Sequence, residues 1–333
     1  MINVGVIGCG QWGPNHIRNF NSEESRVIAC ADLSDERLRA MKKNFPSIHA
    51  TKNYRDILNH PKIKAVVVGT PTHTHFKFVK ESLLAGKDVL CEKPLCLTER
   101  EAKDLNALAR KKKLVLMVGH VFLFNAGIRK LKELIQKKQC GQLFYLHSER
   151  TNLGPFRTDV NAAWDLASHD ISIFNYLLGA MPLEVSARGG KYLQKNLEDV
   201  VFISLTYPKG VLVSIHVSWL DPRKVRQITI VGNKRMLIWD DLDNVGPIRI
   251  YDREVQKYFY QSFGEFHLLA KEGTITIPKI NLYEPLKAQA GHFLDCVRKR
   301  KEPLTNAKSG LEVVSVLAAA QKSLSKRGAP VQL

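Results

Sequence analysis

The run Gly8-Cys9-Gly10-Gln11-Trp12-Gly13 directly follows the apolar segment 3–7 and directly precedes a helical pattern, an arrangement that narrows the fold more than any other feature of the 333 residues. Glycines at these three positions serve a tight turn, close backbone approach to a pyrophosphate, and packing of the helix on the strand. The alternation then continues. Short β-branched runs at 26–31, 65–69, 88–91 and 114–118 are separated by helical patterns at 35–44, 73–85 and 98–111, the first helix being 13–20. The strands are nearly uninterrupted apolar segments, as strands covered on both faces should be, so a parallel sheet built of βαβ units is expected. Thr98 with Glu101 reads as a capping box opening the last of these helices.

Asp32 ends the second strand nineteen positions after Gly13, close to the spacing of the acid that binds the adenosine ribose of a dinucleotide. A carboxylate there accepts hydrogen bonds from the ribose diol and repels a 2′-phosphate. NAD is therefore favoured over NADP, with Arg37 keeping the second cofactor open. Gly8, Gly10, Gln11, Trp12 and Gly13 are the expected contacts at the turn, and Thr70, Thr72 and His75 those after the third strand. For Thr72 and His73 helix capping is an equally good reading.

The tripeptide Glu92-Lys93-Pro94 follows the fourth apolar run, at the carboxyl end of a strand, where such sheets meet cofactor and substrate. Most lysines are exposed and inert. Here the proline restricts Lys93 to an extended conformation and admits a cis bond, which fixes where the ammonium points. An ammonium beside a substrate hydroxyl stabilises the alkoxide from which a hydride can leave. Lys93 is the candidate catalytic group, with Glu92 and Lys93 also expected to touch the cofactor.

After residue 122 the pattern changes, so the domains are expected at 1–122 (Rossmann) and 123–333 (α+β, with a large, mostly antiparallel open sheet). An amphipathic helix at 126–137 leads into strands at 200–207, 211–220, 227–232 and 247–251, and the second of these alternates Val211, Val213, Ile215 and Val217 with Leu212, Ser214, His216 and Ser218. A helix at 162–178 ends on Gly179, and two more at 284–299 and 309–324 are candidates to pack back on the first domain. On the first of these three helices Asp165 and His169 stand at i and i+4. A lone helical histidine is more often structural, but Glu149, Arg150, Asn152, Arg157 and Asn161 crowd the stretch just upstream. His169 is the candidate general base, with Asp165, Arg150, Arg157 and Asn161 as substrate-binding residues. Asp165, His169 and Asp170 could also be read as metal ligands, yet hydride removal needs no metal once Lys93 supplies the charge, and none is expected.

The 50 Lys and Arg against 32 Asp and Glu leave a net charge of +18. The cations fall in short separated clusters, as at 111–113, 129–132 and 298–301, beside helix ends where they complement the dipole. Nucleic acid is therefore not an expected partner; an anionic small substrate is. The six cysteines are scattered without paired spacing, no apolar run approaches the length of a membrane helix, and the amino terminus lacks a charged leader. A cytoplasmic protein with reduced thiols is expected.

Taken together, the glycine turn, Glu92-Lys93-Pro94 and Asp165-x-x-x-His169 resemble the glucose-fructose oxidoreductase / inositol dehydrogenase / rhizopine catabolism (Gfo/Idh/MocA) family of NAD(P)-dependent sugar oxidoreductases across nearly the whole chain. The resemblance implies a Rossmann domain, a second domain whose open sheet forms a homodimer or homotetramer interface, and Lys93 with His169 as catalytic pair. The strings 11–15, 164–171 and 217–222 are similar to those of members acting in surface-polysaccharide and lipid A sugar biosynthesis. That similarity implies oxidation of the 3-hydroxyl of a UDP-N-acetylhexosamine or its uronate, with an aminotransferase consuming the ketone. Dehydrogenation of a free polyol such as inositol is the alternative, and a cofactor-binding regulator that does no chemistry is another. Many relatives have glycine where this chain has Ala167, which puts the backbone geometry around His169 in question.

Overall fold

The computed structural model describes residues 1–252 and 273–333, and the chain groups into two units: Met1–Phe124 with Glu284–Ala318, and Asn125–Tyr283 with Ala319–Leu333. Segment 284–318 of the expected second domain 123–333, whose closing helices are candidates to pack back on the first domain, groups with the first unit. The reason is apolar burial. Helix α8 (Pro285–Lys299) sets Phe293 edge-to-face on Phe20 with ring centroids 6.0 Å apart, and its start and end are tied by Arg18–Glu284 and by Arg300 forked onto Asp88 at 2.6 and 2.7 Å.

In the first unit, strands β1 (Ile2–Ile7), β2 (Ser25–Ala31), β3 (His49–Thr51), β4 (Ala65–Val68), β5 (Asp88–Cys91) and β6 (Leu116–Val118) form a parallel sheet in the order β3-β2-β1-β4-β5-β6. Helices α1 (Gly13–Phe20), α2 (Asp35–Asn44), α3 (Arg55–Leu58), α4 (His75–Leu84) and α5 (Glu99–Lys112) connect them. Val4, Val6, Val66, Val67, Val68 and Val89 are wholly buried, each contributing roughly 1.5–3 kcal/mol. The capping box of Thr98 and Glu101 forms as expected. Strand β3 was not anticipated, because three half-exposed residues carry no readable period. Helix α4 begins at His75 after a 3₁₀ turn, Thr72–Thr74, rather than at 73.

The second unit places β7 (Leu143–Leu153), β8 (Glu184–Gly190), β9 (Val200–Thr206), β10 (Leu212–Ser218), β11 (Leu220–Gly232), β12 (Met236–Asp240), β13 (Ile248–Tyr251), β14 (Ile275–Thr276) and β15 (Val331–Gln332) in one sheet, ordered β14-β13-β12-β11-β7-β10-β9-β8-β15. Every neighbouring pair is antiparallel except β7 with β10. Val213, Ile215 and Val217 point into the core, as the alternation requires, where Trp219, Trp239 and Phe174 are also buried. Phe202, Leu212 and Tyr145 are exposed on the sheet. Helix α6 (Ala126–Gln136) matches its expected span, whereas the segment expected as one helix from 162 is π-helical over Ala163–Ala167 and becomes α7 only at Ser168–Leu178, closing on left-handed Gly179.

At the carboxyl edge of the parallel sheet, β5 runs into Glu92-Lys93 and β6 into Gly119-His120. His120 is 1% exposed, and neither ring nitrogen has a hydrogen-bond partner. Burial, with the nearby Lys93 charge, pushes its pKa down to about 4. The folded state therefore holds the ring neutral while the unfolded chain takes up a proton near pH 6.5. This contribution to stability is present above pH 6.5 and lost as pH falls toward 4, amounting to about 2 kcal/mol by pH 5. We expect His120→Asn to flatten the fall in unfolding free energy between pH 7.5 and 5, measured by urea denaturation; an unchanged slope would exclude the assignment.

Candidate functional site

A cavity of about 590 Å³ opens at the switch point of the first unit's sheet, where winding reverses between β1 and β4. Its floor is the glycine turn. Gly8 has φ +97°, and a Cβ there would lie 2.6 Å from the Gly69 carbonyl; one on Gly13 would lie 2.5 Å from the Gly8 carbonyl. Gly10 differs, since its nearest neighbour is the Arg37 guanidinium at 3.8 Å. Gly8 and Gly13 thus let backbone meet backbone, and Gly10 keeps the cavity side open. Helix α1 starts here with Trp12, 39% exposed, at its N-cap and no side-chain cap, so the N–H groups of its first turn, apart from Pro14 which has none, are open to an anion.

Asp32 lines the same cavity, its carboxylate accepting hydrogen bonds from the Cys9 N–H at 2.8 Å and the Ser34 N–H at 2.9 Å. Opposite, Tyr54 and Phe78 meet edge-to-face at 4.9 Å, an apolar wall suited to a planar base. Gln11 and Thr70 also line it. A pyrophosphate at the turn, a ribose at Asp32 and an adenine against the rings are what these residues fit.

Beside this cavity the Glu92-Lys93-Pro94 segment is held from several sides within the first unit. Glu92 Oε1 lies 2.7 Å from Nε2 of the wholly buried His16, and Oε2 accepts from the Lys93 N–H at 3.3 Å. Burial works to raise the Glu92 carboxyl, but the hydrogen bond and charge of His16, together with Lys93, outweigh it and leave the pKa below its ordinary value. The Lys93–Pro94 bond is cis. His75, expected as a cofactor contact, is instead buried, with Nδ1 2.8 Å from the Pro94 carbonyl and Nε2 2.9 Å from the Thr70 carbonyl. Thr72 is buried as well. These two side chains therefore shape the loops rather than face the cavity.

In the second unit, Asp165 Oδ1 accepts from Arg157 at 3.3 Å and Oδ2 from the Trp219 indole at 3.2 Å. Arg157 is also forked onto Asp159 at 2.6 and 2.8 Å. His169 follows on the first turn of α7, after the π-helical stretch, and its carbonyl accepts from Ser172. Two expected substrate ligands belong to the framework instead. Arg150 is buried and bidentate to Asp170 at 2.8 and 3.1 Å, because a guanidinium out of water needs a carboxylate. Asn161 is buried, donating to Glu198 and Gln321 and accepting from the Trp164 N–H. Among the described residues no group of three or more His, Cys, Asp or Glu could hold a metal ion.

Sequence reasoning missed His16, Trp219 and the ring wall. For His16 a signal existed: with Gly13, Ile17 and Phe20 it occupies the buried stripe of α1, an apolar face that contains one polar side chain. Trp219 and Tyr54 offered none, since Asp165 and Phe78, their partners, lie far off in the chain.

Residues 2–120 match the oxidoreductase family with an NAD-binding Rossmann fold, and residues 128–238 match the Gfo/Idh/MocA C-terminal domain. Inositol 2-dehydrogenase 2 of Paenarthrobacter aurescens is 32% identical over 226 residues, 64% of this chain and 68% of that protein. The uncharacterized oxidoreductase YrbE of Bacillus subtilis is 27% identical over 223 residues, and the chain spans 65% of its length. The solved structure of UDP-N-acetylglucosamine 3-dehydrogenase GnnA from Acidithiobacillus ferrooxidans shares the fold, with a TM-score of 0.82 at 23% identity and 98% of each chain covered. The chain belongs to the Gfo/Idh/MocA oxidoreductase family, and its first unit is that family's NAD-binding Rossmann domain.

Proposed function

We propose that this oxidoreductase removes a hydride from a secondary hydroxyl of a sugar, the 3-hydroxyl of a UDP-N-acetylhexosamine or its uronate, with NAD as acceptor. The observation that carries the reading is the construction around Lys93: a strand-end lysine next to the dinucleotide cavity, its backbone fixed by a buried Glu92–His16 pair. Such investment in orienting one lysine suits a group that stabilises charge developing on a reacting oxygen. Lys93 binds and polarises the hydroxyl, and His169 takes its proton, with Asp165 and Arg157 binding or orienting the sugar. Bound at the glycine turn and Asp32, NAD supplies the hydride acceptor. Cations of the stretch 129–157 are candidates for the diphosphate of a nucleotide sugar, although Arg150 is committed to Asp170.

Inositol dehydrogenases among the relatives, at 32% identity in one case, favour a second reading in which the substrate is a free cyclic polyol. A purely regulatory role is the weaker alternative, since it has no use for Lys93 and His169 together. The exposed Phe202, Leu212 and Tyr145 on the open sheet support a homodimer or homotetramer through that face. An aminotransferase acting on the ketone would draw the reaction forward. No helix among the described residues is long and apolar enough to cross a membrane.

Incubation with NAD and, separately, UDP-N-acetylglucosamine, its uronate and myo-inositol, followed by NADH absorbance with and without a coupled aminotransferase, decides between the substrates. Turnover with myo-inositol alone would overturn the nucleotide-sugar reading. Lys93→Met should lower turnover by about 10²–10⁴-fold with NAD affinity retained, and an unchanged rate would remove Lys93 from the chemistry.

The glycines separate binding from folding. Gly13→Ala drives a Cβ into the Gly8 carbonyl and should cost about 1–3 kcal/mol in thermal or urea unfolding. Gly10→Ala meets only the Arg37 side chain, so the fold should be nearly as stable while NAD binding by calorimetry weakens. Equal destabilisation by both would refute the distinction.

A further inference from the structure

Basic clusters that lie apart in the sequence meet at the amino edge of the first unit's parallel sheet, opposite the edge that carries the cofactor cavity. Lys62 and Lys64 precede β4, Lys87 precedes β5, Lys111, Lys112 and Lys113 close α5 before β6, and Arg300 and Lys301 follow α8. Hydrogen bonds tie these segments together. The buried Lys87 ammonium donates to the His60 and Ile63 carbonyls at 3.0 and 2.8 Å, the Asp88 N–H donates to the Lys64 carbonyl at 3.1 Å, and Asp88 Oδ1 accepts from the Val115 N–H at 2.8 Å. Asp88, 4% exposed, is the acid at the centre, and the Arg300 fork offsets its charge. Lys62, Lys64, Lys111, Lys112, Lys113 and Lys301 are exposed, and none of them has an ion-pair partner among the described residues. Helix dipoles do not account for this surplus. Helices α4, α5 and α8 end at this edge, each presenting about half a negative charge, so together they offset one or two of the six lysines. Lys113 also takes the left-handed C-cap of α5 at φ 55°, a conformation that glycine adopts without strain.

We propose that this edge docks on an anionic lipid surface, so that the protein associates peripherally with a membrane while its cofactor cavity opens on the opposite edge of the sheet. The proposal is independent of which sugar is oxidised, because the edge shares no residue with the candidate site. Lysines at the starts of three neighbouring strands and at the end of α8 reach the about four to eight cations that such surfaces recruit. A lysine ammonium is a compact, hydrated point charge that needs no fixed partner geometry, which suits a fluid array of headgroups. The exposed large apolar residue beside them is Leu84, 52% exposed at the end of α4. An aliphatic side chain among cations fits the boundary between headgroups and acyl chains, whereas single-stranded nucleic acid is held on aromatic platforms.

The test is flotation of the full chain with phosphatidylcholine vesicles, plain or containing about one-third phosphatidylglycerol. The wild type should bind the mixed vesicles and not the plain ones, and should be released as salt rises from about 0.1 M to about 1 M. Each lysine near such a surface strengthens binding about fivefold, so Lys62→Glu, Lys112→Glu and Lys301→Glu together should weaken it by about a hundredfold or more. A matched reversal of three exposed lysines of the second unit, Lys234→Glu, Lys279→Glu and Lys322→Glu, changes the net charge equally and should alter binding by less than about threefold. Both triple variants should keep the wild-type NAD⁺ affinity by calorimetry, the sign that the first unit is folded. No binding to the mixed vesicles, equal binding to the plain ones, or an equal loss in the two triple variants would each overturn the docking surface. Tighter capture of the wild type by polyglutamate or by a DNA duplex, at equal concentration of charge, would assign the edge to another polyanion and overturn it as well.

Discussion

Two backbone segments meet at the switch point of the parallel sheet with no room for a side chain between them. The Gly8 turn packs against Gly69 on one side and Gly13 on the other, at distances where a single methyl group would collide with a carbonyl. Strand β1, helix α1 and the loop after β4 are brought together by that contact, and the cofactor cavity is the space left in front of them. Close-packed backbone of this kind is intolerant of added volume, which is why the turn is so specific in sequence.

Around this contact the first unit uses buried polar links where it needs direction rather than cohesion. His16 reaches from α1 to Glu92, Asp32 reaches from β2 to the Cys9 N–H, and His75 holds the Pro94 and Thr70 carbonyls. The links from His16 to Glu92, from Asp32 to Cys9 and from His75 to Pro94 join residues 76, 23 and 19 apart, and a bond made out of water is costly to lose. The glycine turn, the Asp32 carboxylate and Lys93 are thereby held in one frame. The second unit follows the same rule with different residues, Arg150 with Asp170 and Asn161 with Glu198 and Gln321.

Much of this was legible in one dimension. The alternation of strands and helices, the glycine spacing, the Thr98 capping box, the one-sided strand 212–218 and the Gly179 helix end are local signals, carried by propensity, period and turn chemistry. The failures were of another kind. Arg150, Asn161 and His75 have the residue types of ligands and the surroundings of structural groups, and a buried guanidinium is indistinguishable from a solvent-facing one until its carboxylate partner is known. The strand β7 was hidden because Glu149 and Arg150 interrupt its apolar pattern, a cost met by Asp170 twenty residues on. The π-helical step at Ala163–Ala167 departs from a regular helix without leaving a local mark.

By itself the sequence determined the βα framework, the place of the glycine turn, the acid at the end of the second strand and the lysine at the end of the fourth apolar run, because each follows from short-range sterics and from a pattern repeated along the chain. Only the tertiary structure decided which polar residues are struts, that 284–318 groups with the first unit, and that Asp32 shares its cavity with three cations. Those outcomes depend on burial and on pairings between residues distant in the chain, and neither quantity exists until the chain has closed on itself.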